Sequence, residues 1–246
     1  MVETDDRPIL YLSLTLPTLA ENLALDESLL LTREGSREPE LLRIWEWQSP
    51  AVVVGAGGSI RQDVNEAQCQ RDGVPIQRRA SGGGTVVLAS GCLCYSLVLS
   101  YERSGALEQI GTSYVYVLER VRAGLADLCS GARFAGTSDL AIGGRKFSGN
   151  AQQRKRTHLL HHGTLLYNFD IGLAGRYLRL PGRQPAYRQQ RVHADFLVNL
   201  PATSEELIRR LRRAWGAHAE LTDWPRETVR QLVQEKYSTQ EWIRRR

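Results

Sequence analysis

Apolar positions along the chain either recur at helical spacing or run almost unbroken over short stretches, and the two patterns alternate. Thr18 followed by Glu21 has the form of a capping box, and Leu23, Ala24, Leu30 and Leu31 behind it fall on one face. This predicts a first helix over 19–33. Segments 41–47 and 51–55 read as strands parted by a turn at Ser49-Pro50. A short helix over 65–71 leads to a strand at 74–77. Segments 85–88 and 92–100 look like a hairpin closed through Ala89-Ser90-Gly91. Ile110, Tyr114, Val117, Val121, Leu125 and Leu128 are spaced for one face of a long amphipathic helix over 108–129. Strand signals at 139–142, 145–147 and 159–169 surround a tight turn at Gly143-Gly144. Thr203 and Glu206 form a second capping box ahead of a helix carrying Ile208, Leu211 and Trp215, and a last helix covers 225–237.

Helices interleave with hairpins instead of alternating with single strands. That predicts an α+β fold, a mixed or antiparallel β-sheet flanked by helices, and not a doubly wound parallel sheet. No internal repeat or Pro/Ser-rich linker divides the chain, so residues 1–246 read as one domain. The Arg-rich stretch 181–193 reads as a long surface loop, a kind of segment that is often functional.

Composition narrows the picture. With 42% hydrophobic and 24% charged residues, the 246-residue chain is ordinary for a globular protein. No apolar run approaches the roughly 20 residues of a membrane span. Glu3, Asp5 and Asp6 stand where a secretory signal would be basic, so the expected location is cytoplasmic. Cys69, Cys92, Cys94 and Cys129 are too irregular for a disulfide framework. A net charge of +5 is modest. The basic blocks at 154–156, 209–213 and 244–246 read as solvated faces or as attraction to an acidic partner, and no nucleic-acid or membrane role is expected.

Three segments carry candidate chemistry. The first is Arg78-Arg79-Ala80-Ser81-Gly82-Gly83-Gly84-Thr85. Successive glycines after a strand can turn their N–H groups onto an anion, and arginine adds bidentate partners for phosphate or carboxylate. The plainer reading is a flexible turn. The run lacks the Gly-Lys-Ser/Thr of a P-loop and the Gly-x-Gly-x-x-Gly of a dinucleotide fold. The second runs from Thr137 to Ala151, where Lys146 follows the glycine turn and precedes small residues. A lysine so placed can hold a phosphoryl or carboxyl oxygen, or can be a strand-edge lysine. Asp139 could hold a nucleoside, a metal, or merely a turn. The third is His158-Leu159-Leu160-His161-His162-Gly163-Thr164-Leu165-Leu166. On a strand His161 and His162 point to opposite faces, which argues against a shared zinc.

Together these segments resemble the lipoate–protein ligase family, in the superfamily that includes biotin ligases and octanoyltransferases. Arg-Arg-x-Ser-Gly-Gly-Gly, Gly-Arg-Lys-Phe-Ser-Gly-Asn-Ala and His-His-Gly-Thr-Leu-Leu occur in the family's order. Supporting matches are Asn22-Leu23-Ala24-Leu25-Asp26-Glu27, Lys236-Tyr237 and Glu241-Trp242. The resemblance spans about residues 10 to 245. It implies a catalytic domain without the family's C-terminal accessory domain. Such a domain would activate lipoate or octanoate with ATP and Mg²⁺ to an acyl-adenylate, then pass the acyl group to a lysine of a carrier. That carrier would be a lipoyl domain or a glycine-cleavage H-like protein, and a separate accessory subunit is a further implied partner.

By residue-wise match Lys146 is the implied catalytic residue, contacting the acyl carbonyl and α-phosphate. The implied ATP and lipoyl-AMP site adds Arg79, Ser81, Gly82, Gly83, Gly84, Thr85, Val86, Asp139, Gly149, Asn150, Ala151, His162, Gly163 and Thr164. No metal ligand is assigned beyond Asp139 as a partner for Mg²⁺. Positive charge from Arg79 and Lys146 would bring two anions together. Leu88-Ala89 replaces a His-Asp pair common in relatives, so no metal or phosphate role passes to those positions. Arg154, Lys155, Arg156, Arg183, Arg188 and Arg191 are expected to steer an acidic carrier. The alternatives are an octanoyl or lipoyl acyltransferase working from an acyl-carrier donor, and a non-catalytic acyl-binding subunit. The acyltransferase nucleophile is a cysteine, yet residues 131–138 and 180–182 contain none. Cys92 and Cys94 read as small buried hydrophobes. A biotin ligase would carry arginines between the glycines.

Overall fold

The computed structural model describes residues 8–245. Strand β1 (Ile9–Ser13) leads to helix α1 (Leu19–Arg33), whose Thr18–Glu21 capping box forms as expected. Then come β2 (Glu40–Glu46), β3 (Ala51–Val54), the short helices α2 (Ile60–Asp63) and α3 (Glu66–Asp72), β4 (Ile76–Arg78), β5 (Val86–Leu88) and β6 (Cys92–Ser100). Helix α4 (Ile110–Gly124) precedes a run of four strands, β7 (Arg133–Ala135), β8 (Asp139–Ile142), β9 (Arg145–Arg154) and β10 (His158–Leu166). The chain closes with α5 (Gly172–Tyr177), α6 (His193–Phe196), α7 (Ser204–Trp215), α8 (Arg226–Leu232) and α9 (Gln240–Arg244).

The large sheet has seven strands in the order β1-β2-β6-β10-β9-β8-β7, with β1 parallel to β2 and the remaining pairs antiparallel. A second sheet, β4-β3-β5, pairs β3 with β4 in parallel and with β5 antiparallel. The fold is therefore α+β with mixed sheets.

Two cores explain the unbroken apolar runs, because a strand covered on both faces has no polar side to alternate with. Every position of β6 is buried. Cys92, Cys94 and Val98 join α1 and the small sheet in one core, while Leu93, Tyr95, Leu97 and Leu99 join α4 and α7 in the other.

Three expectations need correction. Segments 85–88 and 92–100 are not a hairpin: β5 pairs with β3 in the small sheet, and β6 lies between β2 and β10 in the large one. The Ala89-Ser90-Gly91 turn is a passage between sheets. The long helix ends at Gly124, short of 129, because Leu125 leaves helical geometry and buries its side chain from a turn. The last predicted helix splits at Leu232 into α8 and a π-helical turn, Val233–Tyr237. That turn brings Lys236 Nζ within 2.7 Å of Glu27 Oε2 and lets Tyr237 Oη donate to the same oxygen at 2.8 Å, fastening the C-terminal segment to α1.

Candidate active site

A cleft of about 150 Å³ opens between α1, the small sheet and the β9–β10 pair. Its upper wall is the glycine loop between β4 and β5, and Arg79 gives that loop its shape. The guanidinium donates from Nη2 to the carbonyls of Gly82 (2.6 Å) and Gly84 (2.8 Å), from Nε to Ser81 Oγ (3.0 Å) and from Nη1 to Val53 O (3.3 Å). Burial lowers its pKa to about 10, which still leaves it protonated at neutral pH. The expectation that Arg79 delivers charge straight to a substrate anion is therefore revised, since Nε and Nη2 serve the loop's own oxygens and Nη1 that of Val53 on β3. In a trans peptide the C=O and the next N–H point opposite ways. Fixing the carbonyls of Gly82 and Gly84 on Arg79 thus turns the N–H groups of Gly83 and Thr85 away from it, and both residues line the cleft. The loop also packs tightly below: a Cβ on Gly55 would stand 2.2 Å from Gly83 O.

Lys146 enters from the opposite wall. Its Nζ lies 2.7 Å from Asp139 Oδ1, and Tyr187 Oη donates to Asp139 Oδ2 at 2.7 Å. A β-bulge sets this up. Asp139 faces Gly149 and Leu140 faces Ser148, but Ala141 then faces Lys146, skipping one residue of β9. Because residues directly opposite share a face, the skip puts Lys146 on the face that carries Asp139. The lysine then crosses Gly149, where a Cβ would come within 2.6 Å of its Nζ. Next along β9, Asn150 accepts from Tyr95 Oη at 2.5 Å and donates to Ser138 O and Ser148 Oγ, so its amide orientation is fixed.

The deep end is apolar on one side, formed by Leu23, Trp45, Val53 and Leu88, and polar on the other. There His162 Nε2 lies 2.5 Å from Ser81 Oγ and its Nδ1 lies 3.5 Å from Asp26 Oδ2. Asp26 also accepts from Arg43 Nη1 (2.5 Å) and Ser96 Oγ (2.8 Å). Burial alone would raise the pKa of Asp26, but Arg43 and His162 hold the carboxyl below the usual range. Cys94 lines the same end; a hydrogen-bond contact with Cys92 and burial push its thiol well up. A second chamber of about 100 Å³ adjoins the first and shares Thr85, Val86, Lys146, Gly149 and Thr164 with it. Its other walls include Phe147, Phe169 and Phe196.

The structure brings the predicted residues together. Arg79, Gly83, Gly84, Thr85, Val86, Asp139, Lys146, Gly149, Asn150, Ala151, His162, Gly163 and Thr164 all line the main cleft, and Ser81 and Gly82 belong to the loop behind it. His161 and His162 do face opposite ways. Among the described residues no cluster of three or more His, Cys, Asp or Glu side chains forms a metal site, and both oxygens of Asp139 are engaged. Sequence reasoning missed Asp26, Ser96, Tyr95, Trp45 and Tyr187 as members of the site. Asp26 was present only as a supporting match, although an acid four residues after Asn22 on an apolar helix was a usable signal. The steering expectation needs revision. Arg154 stacks over Tyr101 and donates to the carbonyls of Leu107 and Glu108, Arg188 is buried over Phe196, and Arg191 donates to Gly144 O. Arg156 and Arg183 remain exposed.

Solved lipoate ligases share this fold. A bipartite lipoate protein ligase of Thermoplasma acidophilum, solved in work that includes its E2 lipoyl domain, superposes with a TM-score of 0.80 at 22% identity, over 96% of this chain and 95% of that one. A lipoate-protein ligase A bound with ATP gives 0.79 at 22% identity, over 96% and 97%. The family model for the lipoyl protein ligase A/B catalytic domain matches residues 18–211, and the chain belongs to that family. Among curated relatives, an octanoyltransferase LipM of Carboxydothermus hydrogenoformans is 28% identical over 91% of this chain and 94% of its own length. A protein of Mycoplasma pneumoniae named probable lipoate-protein ligase A is also 28% identical, over 90% and 67%. The protein is thus an enzyme-family member of the lipoyl ligase and transferase group. No helix among the described residues is long and apolar enough to cross a membrane.

Proposed function

We propose that the protein is an ATP-dependent lipoate–protein ligase that activates lipoate or octanoate as an acyl-adenylate and transfers it to a carrier lysine. The observation that carries this reading is the place of Lys146 on the wall shared by the two chambers. Joining a carboxylate to an α-phosphate brings two anions together, which needs a fixed cation where they meet. The deep apolar end suits an acyl chain, the adjoining chamber a nucleoside, and the N–H groups of Gly83 and Thr85 the phosphates between them. Mg²⁺ would arrive with the phosphates and neutralise the leaving pyrophosphate. Asp139, held by Lys146 and Tyr187, orients the lysine. AMP then leaves as the carrier lysine attacks the acyl carbon directly, so no enzyme nucleophile is required. The carrier fitting this chemistry is a lipoyl domain or an H-like protein.

The acyltransferase reading is favoured by the names of several relatives. It needs a thiolate; Cys94 lines the cleft and Cys92 the adjoining chamber, both are buried, and the Cys94 thiol is pushed away from ionisation. Intact mass of a lipoyl domain should rise after incubation with lipoate or octanoate, ATP and Mg²⁺, with matching pyrophosphate release. Modification seen only with an octanoyl-carrier thioester, without pyrophosphate, overturns the ligase reading.

A further inference from the structure

A chain of polar contacts runs from helix α1 to the glycine loop, and the chemistry described so far gives it no task. We infer that Asp26, His162 and Ser81 form a positioning relay that, through Arg79, sets which loop N–H groups face the cleft. The direction of each bond follows from the partners. Ser81 Oγ accepts Arg79 Nε–H at 3.0 Å. His162 Nδ1 faces the Asp26 carboxylate at 3.5 Å and must carry a hydrogen there, since two lone pairs would repel. In that tautomer Nε2 is bare, and Ser81 donates its hydroxyl hydrogen to it across 2.5 Å. With its hydrogen so committed, Ser81 turns a lone pair to Arg79, and the guanidinium plane aligns Nη2 on Gly82 O and Gly84 O. Arg43 and Ser96 fix Asp26 from β2 and β6, so the relay is anchored in the large sheet while it shapes a loop of the small one.

Ser81 is buried at 1% exposure and does not line the cleft, so it touches no substrate in this arrangement. Ser81→Ala removes the link without changing the cleft wall. Two measurements test it. Nitrogen-15 NMR of the imidazoles should show His162 as the Nδ1–H tautomer in wild type. The amide resonances of Gly83 and Thr85 should shift in Ser81→Ala, because their N–H groups re-aim once Arg79 loses its acceptor. An Nε2–H tautomer in wild type, or unshifted Gly83 and Thr85 amide resonances in a folded Ser81→Ala protein, overturns the relay. Both readouts are independent of turnover, so they stand whatever the reaction proves to be. The consequence for turnover rests on the ligase reading. Pyrophosphate release by Ser81→Ala should show KM for ATP raised roughly tenfold with KM for lipoate unchanged, and His162→Gln, whose amide can offer Ser81 an acceptor, should stay closer to wild type than His162→Leu. If wild type releases no pyrophosphate, the ligase reading fails while the spectroscopic test still decides the relay.

Discussion

His161 and His162 are neighbours on one strand, and they live in different solvents. His161 is fully buried on the α4 side, stacked near Tyr95 and Tyr114, with Gln152 on its Nδ1. Burial lowers its pKa to about 3, so it is a neutral piece of core. His162 faces the cleft and bonds to Ser81, with the Asp26–Arg43 ion pair behind it. The strand's period of two makes this separation unavoidable, and the fold uses it to keep a closed core back to back with a reactive one. The α4 and α7 face is filled by Val117, Leu118, Val121, Leu207 and Leu211, whereas the α1 face admits charge wherever another buried group satisfies it.

The sharpest way to separate the two faces is to remove the cleft's one lining lysine. Lys146→Ala should cut acid-dependent pyrophosphate release by about 10²–10³, the usual cost of losing one preorganised electrostatic contact. The melting temperature should move little, because Lys146 is partly exposed and packs on Gly149 instead of in either core. Near-normal release by the folded variant would remove Lys146 from the chemistry and with it the two-chamber argument.

The closed face answers to pH instead. A histidine whose folded pKa lies below its unfolded one stays neutral in the native state while the unfolded chain takes up a proton. Stability is then full above the unfolded value of 6.5 and declines as pH falls toward about 3. Wild type should lose roughly 3 kcal/mol through this group by about pH 4, at 1.36 kcal/mol per unit. His161→Leu should flatten that part of the acid limb, whatever it does to stability at neutral pH. Asp26, held low by its partners, adds an acid loss of its own that the substitution leaves in place. Parallel slopes of melting temperature against pH in wild type and His161→Leu would show that His161 is hydrated after all.

How much of this was legible beforehand follows the same division. Local signals worked: the capping box at Thr18, the N-cap at Thr203, the opposed histidines and the Gly143-Gly144 turn are set by residues a few positions apart. The glycine loop and Lys146 were found by motif, and the structure brings them to one cleft. Pairing between distant segments was not legible. Val86–Leu88 and Cys92–Ser100 carry patterns that suit a hairpin equally well, and only the presence of β3 and β10 as partners sends them to different sheets. The bulge that re-aims Lys146 leaves no composition cue, since Phe147 looks like any strand residue. Asp26 and Arg43 are polar positions within apolar runs, and their pairing appears once α1 lies on the sheet. Arginine was the most misleading residue, because its stem and planar head let Arg154 and Arg188 pack against aromatic rings while counting as surface charge.

The smallest expected effect concerns cysteine, and it bears on which reaction the cleft performs. Cys94 lines the cleft and Cys129 lies in the closed core, so the two faces each offer a thiol. If the protein worked by acyl transfer through an enzyme thioester, the face would matter: Cys94→Ser would abolish activity and Cys129→Ser would spare it. The structure points to no such difference. Cys94 is 5% exposed, its Sγ contacts Cys92 O at 3.9 Å, and the Cys92 contact and burial oppose its ionisation. Cys129 likewise has its thiol pushed up by burial, with Sγ on Leu125 O at 3.3 Å. Arg43 near Cys94, and Arg210 and Arg122 near Cys129, favour the thiolate, but the Cys92 contact and burial at Cys94, and burial at Cys129, outweigh them, and neither thiol has the solvent access that a nucleophile requires. Serine replaces sulfur with a slightly smaller, more polar atom, a change costing about 1 kcal/mol at a buried site. Carrier modification by Cys94→Ser should therefore stay within about threefold of wild type, with any loss in KM for the acid. Mass spectrometry of wild type incubated with an octanoyl-carrier thioester should find no acyl adduct on Cys94. An adduct there, together with an inactive Cys94→Ser protein, would move the chemistry from Lys146 and ATP to the thiol and make the apolar end of the cleft the reaction centre.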